Sequence, residues 1–184
     1  GLLPEIRVDS KNENENQKKS LQSEILITKA ENKAIHSLIQ IIEKKKGSTQ
    51  EPDLWYRLAE LYMRRAQSGR FFDLNRSEDT TTPARWEMSE LTDETAKNSL
   101  RRALQVYTKI EKEFKAFRQM DSVYFNGAFA SQQLKMIKNA EALYNKVITQ
   151  FPKSDLVPDA YLARGEIAFD AQRFSEALDN FQAI

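Results

Sequence analysis

The chain has 184 residues, a length that suits one domain or a short array of repeats. Its 28 Lys and Arg stand against 27 Asp and Glu, so a net charge of +1 gives it no general attraction to nucleic acid or to an anionic membrane surface. Cysteine is absent and there is one His, which excludes disulfides, thiolate zinc sites, cysteine nucleophiles and any two-His zinc motif.

Only five Gly and five Pro punctuate the chain, 40% of it is apolar, and no run alternates as a strand would. The composition therefore predicts an all-α fold. Residues 1–18, ending in KNENENQKK, read as a polar, flexible leader. Gly1 is not a natural start, so the absence of a signal peptide carries no weight. Residues 19–47 read as an amphipathic N-terminal helix with Leu21, Ile25, Ala34, Ile35, Leu38 and Ile42 on one stripe, packing on the next helix. Lys44-Lys45-Lys46 reads as a basic C-terminal turn rather than a binding patch, and Gly47 as the residue that stops the helix. His36 reads as a surface residue. Residues 52–66 form the next predicted helix, with Pro52 in its first turn and Trp55, Leu58, Ala59 and Tyr62 along one face. Residues 67–92 break the rhythm: Ser77–Pro83 is loop by composition, flanked by Phe71, Phe72, Trp86, Met88 and Leu91. Helices resume near Asp93, with breaks near 117–119, 135–138, 151–158 and 171–173.

A period of 37 residues runs through this second half. Ala103, Ala140 and Ala177 keep it, as do Tyr107, Tyr144 and Phe181, then Ile110, Val147 and Ile184, then Leu100, Ile137 and Phe174. Tyr124 matches Tyr161, Phe114 matches Phe151, and Ala128 matches Gly165. Small residues at matched places let two helices of a pair cross closely, and aromatic residues four positions on fill the space where they diverge. Such pairs stack, because none can bury its apolar face alone.

Trp55-x2-Leu58-Ala59-x2-Tyr62, Tyr161-x2-Arg164-Gly165-x2-Ala168, and the sets Ala140, Tyr144, Val147, Pro152 and Phe174, Ala177, Phe181, Ile184 together resemble the tetratricopeptide repeat. The resemblance covers about residues 52–66 and 95–184 and implies an α-α superhelix, a tetratricopeptide-like solenoid, with an N-terminal helix and a long insertion in the first repeat. The repeats would span 52–117 with insertion 67–92, then 121–154, then 158–184, the last incomplete. The period exceeds the usual 34, and the junction FPKSDLVPDAYLARGE is similar to the bacterial envelope subfamily of Tol-Pal-associated and outer-membrane-assembly lipoprotein type. Ala59 and Ala103 are 44 residues apart, so the insertion splits the first repeat.

The resemblance implies a concave groove lined by Tyr56, Glu60 and Met63 in the first repeat, Phe125, Asn126, Phe129 and Gln132 in the second, and Leu162, Glu166 and Phe169 in the third. Aromatic side chains there suit apolar anchoring of a partner segment, or else pack against neighbouring helices. A grip on a C-terminal carboxylate, found in some members, is not expected: only Asn126 matches, and Glu60 and Asp159 would repel the ligand. The insertion is a second candidate recognition element, its Phe71, Phe72 and Trp86 either pinning the loop to the helices or meeting a ligand. No phosphate loop, metal motif or cofactor site is expected, so the chain reads as a non-catalytic protein- or peptide-binding scaffold, periplasmic or alternatively cytoplasmic. A self-assembling structural module and a lipid- or glycan-handling accessory are the alternatives.

Overall fold

The computed structural model describes residues 10–76 and 93–184. They form seven α-helices and no strand: α1 (Ser10–Lys44), α2 (Glu51–Arg76), α3 (Asp93–Glu113), α4 (Met120–Gln133), α5 (Ile137–Gln150), α6 (Val157–Asp170) and α7 (Phe174–Gln182). Each helix packs on the one before and the one after it in the chain.

Ile25, Thr28, Ile35, Leu38 and Ile42 face inward from α1 at three- and four-residue steps, or sums of them. Ala34, expected on this stripe, is exposed, and Leu21 is only half-buried. The buried stripe of α1 therefore begins near Ile25. The helix itself reaches back to Ser10, so residues 10–18, read as leader, are its opening turns, while residues 1–9 lie outside the described residues. Residues 11–20 are exposed on every side. A nucleated helix can extend through such a polar stretch, because each added residue needs only one more hydrogen bond, not a new nucleus. The other end stops as expected: Gly47 takes a φ of +82°, a conformation a Cβ would disfavour.

Glu51 and Asp53 lie in the first turn of α2, where acids complement the helix dipole. Leu58, Ala59, Tyr62 and Ala66 are buried, and buried Arg65 donates from Nε to Asn32 Oδ1 of α1 at 2.9 Å. The break expected at residue 67 does not occur: α2 runs on to Arg76, so Phe71 and Phe72 belong to its last turns. Gly69 is the only breaker there, and one glycine costs a helix about 1 kcal/mol, which tertiary packing tolerates. Trp86 lies outside the described residues.

The 37-residue period is present in the backbone. Lys135 and Gln172 both adopt positive φ, 64° and 62°. Around them Met136 N–H bonds to Ser131 O at 2.8 Å, and Arg173 N–H to Ala168 O at 2.8 Å, the six-to-one closure of a helix C-terminus. The longer connections match as well. Phe117 N–H bonds to Phe114 O and Met120 N–H to Phe117 O; in the next connection Ser154 bonds to Phe151 and Val157 to Ser154. The residues in excess of the usual repeat length are thus taken up as consecutive three-residue turns.

Ala103, Ala140 and Ala177 are buried at the helix crossings, as are Ala59 and Ala128. The aromatic position changes along the chain: Tyr107 is 2% exposed, Tyr144 1% and Phe181 37%. A Cβ on Gly165 would overlap the Phe181 ring, so glycine at this crossing admits an aromatic edge that Ala128 would exclude. Lys146–Glu111 and Arg173–Glu141 ion pairs, each 2.5 Å, tie neighbouring pairs together at the surface.

Candidate protein-binding face

The first helices of the three pairs, α2, α4 and α6, each carry one stripe at i, i+4, i+7. On α2 it is Tyr56, Glu60 and Met63; on α4 it is Phe125, Phe129 and Gln132; on α6 it is Leu162, Glu166 and Phe169. When Ala59, Ala128 and Gly165 are aligned, the stripes match position by position in three rows. The outer rows are Tyr56–Phe125–Leu162 and Met63–Gln132–Phe169, and the middle row is Glu60–Phe129–Glu166.

The rows meet around two buried phenols contributed by the second helices. Tyr107 of α3 lies edge-on to Tyr56 at 6.2 Å, and Tyr56 also packs on Phe117 at 5.4 Å. Burial pushes the Tyr107 phenol well above the usual range, with Tyr56 and Glu60 adding to the shift and Asn126 opposing it. Tyr107 Oη has no hydrogen bond of ordinary geometry, and Asn126 is the polar side chain beside it. Burial raises the Tyr56 phenol too, with Ser122 and Asn126 of α4 opposing the shift.

Tyr144 of α5 occupies the matching place one repeat on. Its hydroxyl donates to Gln132 Oε1 at 2.9 Å, and its ring meets Phe125 edge-on at 5.5 Å. Burial raises this phenol, and the charge of Glu166 on α6, the helix packed on α5, raises it further. In the third pair Phe169 replaces Gln132 and Phe181 replaces Tyr144, so donor and acceptor are lost together. The same exchange affects the pair Asn139 Nδ2→Ser131 Oγ, 2.8 Å, whose counterparts are Glu176 and Ala168.

Of the residues expected to line a groove, Tyr56, Met63 and Phe125 pack against neighbouring helices and are half-buried. Glu60, Asn126 and Gln132 are half-buried among the phenols. Phe129, Leu162 and Phe169 are open, at 37%, 42% and 56% exposure, and Glu166 is exposed between the last two. Phe169 leans edge-on against Phe174 at 5.3 Å. Sequence reasoning placed Tyr107 and Tyr144 in the core but missed them as the floor of this face. The available signal was Tyr144 with Gln132 in one repeat and Phe181 with Phe169 in the next.

A second concavity, of about 600 Å³, lies between α3 and the α4–α5 turn, lined by Arg101, Leu104, Gln105, Thr108, Leu134 and Met136. Leu104 and Met136 stand where the next joint has Glu141 and Arg173, so an apolar pair here corresponds to an ion pair there.

Among the described residues no group of three or more His, Asp or Glu could hold a metal ion, and no helix is long and apolar enough to cross a membrane. His36 is exposed, with Gln40 Nε2 3.4 Å from its Nε2. Compared with known proteins, the chain matches no family model, no curated protein and no solved structure.

Proposed function

We propose that this chain is a non-catalytic scaffold of the tetratricopeptide type, stacked as an α-α superhelix, that holds a segment of another protein against the face formed by α2, α4 and α6. One observation carries the reading: Phe129, Leu162 and Phe169 are left open on matched stripes whose neighbours Tyr56, Met63 and Phe125 are packed. An apolar floor with interspersed polar groups is the usual form of a peptide-binding surface. The backbone connections repeated every 37 residues support the stacked arrangement. The likeness of FPKSDLVPDAYLARGE to envelope proteins supports placing the scaffold in a periplasmic assembly.

Site-specific photo-crosslinking in the source cell tests the reading. A crosslinking residue at Phe129 or Phe169 is expected to yield a discrete protein adduct. One at Lys112, on the exposed side of α3, is expected to yield none. Adducts at Lys112 equal to those at Phe129, or none at either groove position, would overturn it.

A further inference from the structure

The middle row of the face has a charge that its surroundings leave unanswered. Glu60 on α2 and Glu166 on α6 hold the repeat position that exposed Phe129 holds on α4. Glu111 and Glu141 elsewhere on the molecule are paired with Lys146 and Arg173. Among the described residues neither Glu60 nor Glu166 has a basic partner of that kind. Each carboxylate bears on a buried phenol, Glu60 on Tyr107 and Glu166 on Tyr144; Glu60 is half-buried and Glu166 is exposed. Tyr107 Oη, on a side chain 2% exposed, has no hydrogen bond of ordinary geometry, with Asn126 the polar side chain beside it. A carboxylate beside low-dielectric aromatic surface attracts a cation more strongly than one facing open water. The exposed ring between the two adds a face over which a guanidinium or ammonium can stack.

We propose that the row Glu60–Phe129–Glu166 selects a basic partner segment: a peptide whose apolar side chains rest on Phe129, Leu162 and Phe169 while two Lys or Arg side chains reach the two glutamates. The proposal rests on the reading that this face holds a protein segment. Helix axes spaced about 10 Å apart, with α4 between α2 and α6, put the glutamates about 20 Å apart. An extended peptide rises about 3.3 Å per residue, so its two basic residues fall about six positions apart.

Fluorescence anisotropy with the full chain tests this, using labelled synthetic peptides of about 16 residues that share one apolar pattern. One carries two Lys six positions apart, one carries Glu at those places, and one carries the two Lys adjacent. The spaced-Lys peptide should bind about tenfold tighter than the Glu peptide, two exposed ion pairs each contributing a few-fold. E60Q/E166Q should abolish that difference, while F129A should weaken all three peptides. If spaced-Lys and Glu peptides bind alike and F129A still weakens both, charge selection fails and the binding face stands. Equal binding of spaced and adjacent Lys peptides overturns the two-glutamate register. If F129A changes nothing, the face itself is wrong. Helical circular dichroism of each variant confirms that it is folded.

Discussion

Tyr107 and Tyr144 occupy the same place in successive repeats, yet removing their hydroxyls should act in opposite directions. Tyr144 donates a 2.9 Å hydrogen bond to Gln132. Tyr144→Phe loses that bond, and half-buried Gln132 recovers part of the loss from water, so the cost is about 1 kcal/mol. Tyr107 Oη is buried without a partner of ordinary geometry. A buried hydroxyl left unsatisfied costs about 1–3 kcal/mol, and Tyr107→Phe removes that cost while keeping the ring against Tyr56. It should therefore be neutral or more stable by about 1 kcal/mol, and the two variants should differ by about 2 kcal/mol. Urea unfolding followed by circular dichroism measures this, with the two curves sharing one slope and differing in midpoint. Equal destabilisation by both substitutions would refute the reasoning, because it would mean that Tyr107 has a hydrogen bond as good as Tyr144's.

Gly165→Ala should destabilise by about 1 kcal/mol, since the Phe181 ring must swing off the crossing. In a Phe181→Ala background the same change should become stabilising by up to about 1 kcal/mol, because alanine is the better helix former, and a double-mutant cycle reads the reversal. Stability should fall as pH rises above about 10: burial holds the Tyr107 and Tyr144 phenols protonated in the fold, while the unfolded chain ionises there and is favoured. Urea midpoints across that range should decline less steeply in Y107F/Y144F than in the parent.

The sequence made the helix crossings legible because small residues recur where two backbones approach, and Ala103, Ala140 and Ala177 are indeed buried. It did not show how the pairs turn. Lys135 and Gln172 take a left-handed conformation that sequence reading assigns to glycine, and what holds them there is the closure onto Ser131 and Ala168. Helix ends were misplaced at the polar start of α1, where nothing apolar marks the turns, and from residue 67 to Arg76, where Gly69 and the loop composition that follows read as a break. Ala34 was put on the inner stripe because alanine fits either side of a helix, and only packing decides which. The stripes on α2, α4 and α6 were readable from position within the repeat. Which members of a stripe stay open was not, because Phe125 and Phe129 differ only in whether Tyr144 lies beside them.

Leu104 with Met136, and Glu141 with Arg173, fill matched places 37 residues apart with opposite chemistry. Raising ionic strength screens the charged pair and leaves the oily one untouched. A cosolvent that dissolves methylene groups does the reverse. The two places can therefore be weakened separately, by choice of solvent, with no change of residue.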